Sequence, residues 1–309
     1  MHVLIVYNPN AGMGKALRHA ERLRDALLVA DAATEIAFFA ASSLEVMSEF
    51  WHNNRGNPEG HDTVVIIGGD GTLGPNVSAM IKNDISVPIY AYGRGTANDF
   101  ATHFKTNCSP RKAAAAILKN NLTEVDTLKV NEENFAVNVA CGGAFTNGVT
   151  KYNKKTKRMF GKFAYLVHGL FGAFRMKSQP MRFTVVTSDD GSAEYFDEEV
   201  FLFYVVNTKN VGGLRNSAPL ADPSDGLLDL VCIKKCGLFG KIAIKINQGL
   251  GRLDKCKNVT YIKGTRFSIS HVPGHDITPN FTLTDLDGNA GEPYPMEVTL
   301  GPKIKVVVR

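Results

Sequence analysis

The run Val64-Val65-Ile66-Ile67-Gly68-Gly69-Asp70-Gly71-Thr72-Leu73 constrains this chain more than any other segment. An apolar stretch of strand length, Thr63 to Ile67, ends in glycines and a carboxylate. An unbroken apolar run suits a strand buried on both faces, as in a parallel sheet. Glycine lets the main chain approach a bulky anion, because no Cβ intervenes. N–H groups at the start of a following helix then point at phosphate. The run predicts a phosphate held at Gly68, Gly69, Gly71 and Thr72. Asp70 would orient a Mg²⁺–phosphate unit, directly or through water. The structural alternative is a tight strand-to-helix turn with no ligand.

The same order of strand, polar glycine loop and helix recurs twice. Val3 to Tyr7 reads as a strand followed by Asn8-Pro9-Asn10-Ala11-Gly12-Met13-Gly14-Lys15. This loop is not a Walker P-loop, since Ala16 follows Gly14-Lys15 where that motif needs Ser or Thr. Pro88 to Ala91 reads as a strand before Gly93-Arg94-Gly95-Thr96-Ala97-Asn98-Asp99-Phe100-Ala101. Gly95 permits close approach and Thr96 offers a hydroxyl. Asn98 and Asp99 are candidates to cap the next helix or to meet the ligand. Helical patterns cover Ala16–Ala30, Leu44–Trp51, Val77–Ile81 and Lys112–Leu118, with another strand at Thr34–Phe39. Strands alternating with helices predict a parallel α/β sheet over residues 1–125, with ligand loops at the carboxyl ends of its strands.

Strand patterns dominate from Asp126: Thr127–Val130, Phe135–Ala140, Met181–Thr187, Val200–Val206, Leu228–Ile233, Thr265–Ser270 and Phe281–Leu286. Turn signals such as Ser188-Asp189-Asp190-Gly191 separate many of them. Helical stretches interrupt near Phe160–Phe174 and Lys241–Gly249. Residues 126–294 therefore read as a β-rich domain, a sandwich. The segment 295–309 is a candidate to return to the first domain. A length of 309 residues suits two domains.

A net charge of +5 is compatible with nucleotide, phospholipid or nucleic acid and selects none. Cys232 and Cys236 form a C-x3-C pair with no companion pair, so the five cysteines read as free thiols in a reducing cytosol. The first residues do not read as a signal peptide, and no apolar run is long enough for a membrane span. Cytoplasmic placement is the expectation.

Gly68-Gly69-Asp70-Gly71-Thr72 together with Gly95-Thr96-Ala97-Asn98-Asp99-Phe100-Ala101 resembles the diacylglycerol kinase catalytic-domain family, which includes bacterial lipid kinases, sphingosine kinases and ceramide kinases. Asn8-Pro9 and the glycines after it are similar to that family's first nucleotide loop. Asn207 to Gly213, Pro219-Leu220-Ala221-Asp222-Pro223-Ser224-Asp225-Gly226-Leu227-Leu228-Asp229 and Asp287-Gly288 extend the likeness over most of the chain. The resemblance implies an N-terminal domain like that of NAD kinases and phosphofructokinases and a C-terminal β-sandwich for lipid, with ATP and lipid meeting between them. It implies ATP at Asn8, Pro9, Asn10, Gly12, Gly68–Thr72, Gly95, Thr96, Asn98 and Asp99. Mg²⁺ would bridge the phosphates with help from Asp70 and Asp99. A supporting metal is implied at Asp222, Asp225 and the backbone of Leu227.

Two positions depart from that pattern. The chain runs Leu73-Gly74-Pro75-Asn76 where the family carries a glutamate. The family's Asp-Gly-Glu, whose glutamate is its base, reads Asp287-Gly288-Asn289. An Asn cannot accept the proton, so Glu292 or Asp287 is the candidate replacement, Glu292 preferred. Loss of one base costs rate by about 10²–10⁴-fold without abolishing turnover.

The expected activity is ATP-dependent phosphorylation of a diacylglycerol-like lipid hydroxyl. An NAD kinase shares Gly-Gly-Asp-Gly-Thr, but Gly95–Ala101 argues against it. A catalytically weakened nucleotide- or lipid-binding member is the other alternative. Lys151 to Lys162 carries six basic residues ahead of Phe163, Tyr165, Leu166, Leu170, Phe171 and Phe174. That stretch suits either an anionic membrane surface or a solvated loop beside a core helix. The expected partner is lipid at a membrane surface, with no nucleic acid. Oligomeric state is not readable; a homodimer is one candidate.

Overall fold

The computed structural model describes residues 1–10, 14–57, 59–143, 177–187 and 192–309. Gly12, the Lys151–Lys162 cluster, the Phe160–Phe174 helix and the Ser188–Gly191 turn lie outside the described residues. The chain divides into two units, Met1–Thr127 with Pro302–Arg309, and Leu128–Gly301.

In the first unit, strands β1 (His2–Tyr7), β2 (Glu35–Ala40), β3 (Thr63–Gly68) and β4 (Ile89–Gly93) form a parallel sheet in the order β2-β1-β3-β4. Helices α1 (Ala16–Ala30), α2 (Leu44–Asn53), α3 (Asp70–Lys82), α4 (Asp99–His103) and α5 (Pro110–Lys119) connect them. Alternation sends Val3, Ile5, Val65, Ile67, Tyr90 and Tyr92 to one face. There they pack with Ala20, Leu23 and Leu27 of α1 and Ala113, Ala114 and Ile117 of α5. Residues of the opposite parity, such as Leu4, Val6, Val64 and Ile66, are also buried, as are Trp51 of α2 and Leu73, Val77 and Met80 of α3. Trp51 Nε1 donates to the buried Asn76 Oδ1 at 2.9 Å, which joins α2 to α3.

Strand β5 (Leu122–Val125) is the one departure from a purely parallel sheet among the described strands, since it runs antiparallel to the last strand of the chain. That last strand, Ile304–Val307, inserts between β4 and β5. Only residues 302–309 return to the first unit, not the whole of 295–309. Met296–Leu300 stays behind because it pairs along both edges within the second unit.

That second unit is a β-sandwich built on antiparallel pairing. Its strands are β6 (Leu128–Val130), β7 (Asn134–Ala136), β8 (Val139–Gly143), β9 (Gln179–Val186), β10 (Ala193–Val206), β11 (Leu228–Lys234), β12 (Val259–Gly264), β13 (Arg266–His271), β14 (Asp285–Leu286), β15 (Asn289–Ala290) and β16 (Met296–Leu300), and the chain's last strand, Ile304–Val307, is β17. Strand β10 is long enough to pair with β9 along its first half and with β8 and β11 along its second. A register shift between Val200 and Leu202 changes its parity. Val200 and Phe203, three residues apart, therefore enter one core with Phe183, Leu230, Phe267 and Val298. Leu202, Tyr204 and Val206 face a second core with Val231 and Ile244, the latter from helix α6 (Leu238–Gly249).

Three expected strands differ. Phe135–Ala140 is two strands, parted at Val137 and Asn138, whose N–H groups bind a side chain instead of a neighbouring strand. Phe281–Leu286 keeps only Asp285–Leu286, because Pro279–Phe281 forms a 3-10 turn. Val200–Val206 begins at Ala193, where polar residues hide the period-two pattern. All five cysteines are free thiols.

Candidate active site

The register levels the carboxyl ends of three adjacent strands: Tyr7 pairs with Ile67, and Gly68 with Gly93. The loops that follow therefore leave from one rim. Two of them touch. An ideal Cβ on Gly95 would stand 2.8 Å from the nitrogen of Gly69, and one on Gly69 would stand 3.0 Å from the Cα of Gly95. No side chain fits at Gly95 unless main chain moves. Gly68 O also accepts the N–H groups of Arg94 (2.6 Å) and Gly95 (3.1 Å).

Asp70 fastens this contact. Its Oδ2 accepts the N–H of Asp99 at 3.1 Å and its Oδ1 that of Phe100 at 3.3 Å. The carboxylate thus closes the N-terminus of α4, satisfying donors that the helix itself leaves open. Burial pushes its pKa up, and these N–H groups oppose the shift. The expected cap by Asn98 or Asp99 is corrected: Asn98 makes no side-chain cap. Held left-handed at φ 54°, it clamps Gly95 instead, Oδ1 accepting its N–H (2.6 Å) and Nδ2 donating to its carbonyl (3.0 Å). Asp99 is buried and Thr96 exposed.

Helix α3 starts at Asp70, seven residues before the expected Val77. Gly69 has no side chain to cap it, and Lys15, at the cap position of α1, makes no side-chain cap either. The first turn of α1 holds no acidic residue. In the loop before it, Asn8 Oδ1 accepts the N–H of Asn10 at 2.9 Å, and Pro9 lies between them.

Sequence reasoning missed the cations here. Lys15, at the cap position of α1, and Arg18, His19 and Arg22 on the helix recur at helical spacing. The His19 imidazole is held below its usual range by burial first, then by Arg94, Arg22, Arg18 and Lys15. Four cations therefore act on one imidazole in the first turn of α1. The i, i+3, i+4, i+7 spacing was visible; the arrival of Arg94 was not. Arg94 lies 3.8 Å over the Tyr92 ring and donates to the carbonyls of Gly93 (2.8 Å) and Cys108.

In the second unit, Asp287 is buried at φ 51°. Its Oδ2 accepts the N–H of Val137 (2.7 Å), and its Oδ1 those of Asn138 (3.0 Å) and Val139 (2.9 Å). Its carboxylate anchors the β7–β8 connection. Asn138 extends this node, accepting from Thr208 Oγ1 at 2.6 Å and donating to Asn210 O at 3.1 Å. Glu292 is exposed; its Oε2 and Oε1 accept the amides of Asn131 (2.5 Å) and Asn134 (2.8 Å). Asn289 Nδ2 donates to Leu286 O at 3.4 Å.

A family model of the diacylglycerol kinase catalytic domain matches residues 2–130, and one of the YegS C-terminal NAD kinase beta sandwich-like domain matches residues 137–309. The chain belongs to the diacylglycerol kinase catalytic-domain family. A protein named diacylglycerol kinase from Staphylococcus aureus (strain bovine RF122 / ET3-1) is 28% identical over 291 residues, covering 94% of this chain and 85% of its own. A candidate lipid kinase from Staphylococcus carnosus (strain TM300) is 25% identical over 306 residues, covering 96% and 93%. A crystal structure of a candidate diacylglycerol kinase from Bacillus anthracis str. Sterne shares the fold. Its TM-score is 0.79 at 21% identity, covering 100% of this chain and 95% of that one.

The metal implied by resemblance to the diacylglycerol kinase family does not fit the loop after Leu220. Asp225 Oδ2 lies 2.6 Å from Lys263 Nζ, so an ammonium stands where a divalent ion would need the carboxylate. Asp225 Oδ1 accepts the N–H of Leu227 (3.0 Å), and Asp222 Oδ1 that of Ser224 (3.0 Å). Lys263 also stands 3.6 Å from the buried Asp229, whose pKa burial pushes up to about 6 against Tyr261 and Lys263. Lys263 lies 38 residues from Asp225 in sequence, and nothing local announced the pair.

Proposed function

We propose that this chain is an ATP-dependent kinase that phosphorylates the hydroxyl of a diacylglycerol-like lipid. The contact between Gly69 and Gly95 carries the reading. Main chain meets main chain there, and the cap residues of α1 and α3, Lys15 and Gly69, bind no helix N–H with a side chain. Such a rim suits a triphosphate, because N–H groups and helix dipoles stabilise its charge. Lys15, Arg18 and Arg22 add positive potential. Mg²⁺ enters as part of the MgATP substrate, and Asp70 holds the two loops in register for it. Asp99 and Thr96 stand at the same rim as candidate contacts.

In the transfer, the lipid oxygen bonds to the γ-phosphorus, the β–γ bridging bond breaks, and ADP leaves. Catalysis is then mainly positioning and charge stabilisation. Glu292 is the candidate to take the hydroxyl proton. Asp287 is a poorer base, since its carboxylate already accepts three main-chain N–H groups. The test is transfer from γ-labelled ATP to a lipid panel, with NAD as a competing acceptor. Labelled lipid phosphate is expected. Label on NAD would favour the NAD kinase alternative.

One observation favours a second reading, a weakened member that binds without efficient transfer. Asn289 stands where the family has its base. Single-turnover mixing with lipid vesicles separates the two, since a pure binder yields no labelled lipid.

A further inference from the structure

Helix α6 carries an apolar face turned away from the core. Leu238, Phe239, Ile242, Ile246 and Leu250 are 51%, 86%, 48%, 55% and 64% exposed. At about 100° per residue they fall within an arc of about 120°. Ile244, which packs into the outer core, lies opposite the middle of that arc. Fifteen large hydrophobics are exposed among the described residues, and five of them stand here. That is a patch, not the ordinary scatter of surface side chains.

The charge around it is one-sided. Residues 234–257 hold seven basic residues and one acidic, Asp254. Lys234 and Lys235 pair with Glu198 (3.3 Å) and Glu199 (2.9 Å). Lys241 and Lys245 lie on α6, which has no acidic residue; Lys241 Nζ stands 4.6 Å over the Phe201 ring and Lys245 Nζ donates to Gln248 Oε1 at 3.2 Å. Arg252, Lys255 and Lys257 are exposed just beyond it. A second copy of the chain would press two such basic surfaces together, which like charge opposes. An anionic bilayer supplies both the apolar phase and the opposite charge.

We propose that this face docks the protein on an anionic lipid surface. Phe239, Ile242 and Ile246 enter the boundary between headgroups and acyl chains, and the exposed Arg252, Lys255 and Lys257 meet lipid phosphates. The inference stands apart from the kinase reading, because docking is measured without nucleotide.

The full chain is sedimented with vesicles of phosphatidylcholine containing about one third phosphatidylglycerol. Ile242→Glu/Ile246→Glu should lower partition by about tenfold or more, with an unchanged unfolding midpoint. If that pair unfolds the protein, Ile242→Ser/Ile246→Ser takes its place. The emission of Phe239→Trp should shift to the blue on anionic vesicles and not on pure phosphatidylcholine. Transfer to a detergent-dispersed lipid should persist in the variants, so docking and activity are read apart. Equal partition of the variants, an unshifted Phe239→Trp spectrum, or a concentration-dependent dimer dissolved by the same substitutions would overturn the proposal.

Discussion

The carboxylate of Asp70 receives the main-chain N–H of Asp99 across 29 residues of sequence, at 3.1 Å. One side chain thereby couples the loop after β3 to the loop after β4. Asp70→Ala removes both of its bonds into α4 at once. A lost cap costs about 1 kcal/mol, so the unfolding midpoint should fall by a few degrees while the fold persists. Phosphoryl transfer should fall far more than stability. Circular dichroism melts beside the labelled-ATP assay check both halves.

Gly95→Ala should be worse for stability than its size suggests, because its Cβ meets the Gly69 main chain. Overpacking of this kind costs about 1–3 kcal/mol. Gly249→Ala, with nothing within 4 Å of its added Cβ, should change stability by no more than about 0.5 kcal/mol. Urea titrations of the two variants make the comparison.

Much of this site was legible before any coordinates. Each glycine run follows an apolar stretch too continuous for a one-sided strand, and the loop positions follow from that. The element starts were less legible. Helix α3 was expected at Val77 because the glycines and Pro75 mask helical pattern; Pro75 sits inside the helix all the same, where it withholds one main-chain N–H donor. Asp287 splits what reads as one strand, Phe135–Ala140, from about 150 residues away. Lys263 reaches Asp225 in the same manner. Periodicity reports which face a residue takes, and it carries no information on which distant partner that face meets.

Lys263→Met tests the ammonium that stands in place of a metal. Stability should fall by about 1–3 kcal/mol, as Asp225 and the buried Asp229 lose their cation. The wild-type midpoint without nucleotide should not move between chelator and millimolar Mg²⁺, whereas the variant should gain stability from the ion. A wild-type midpoint raised by Mg²⁺ alone would restore the metal at Asp222 and Asp225.

Asp229 gives a pH signature. Its folded pKa, about 6, stands above the ordinary 3.8, so between those values the folded state holds the extra proton. Stability from this group is full below about pH 4 and is lost as pH rises through about 6. The loss is at most about 3 kcal/mol, at 1.36 kcal/mol per pH unit. Asp229→Asn should flatten that part of the wild-type profile in urea titrations between pH 4 and 7.

Hydrogen exchange with and without MgATP tests the phosphate seat most directly. Amides of Gly68–Thr72 and of Gly95–Asp99 should slow together on nucleotide addition, and the paired response should disappear in Asp70→Ala. Protection confined to the second unit, or of one loop without the other, would contradict it.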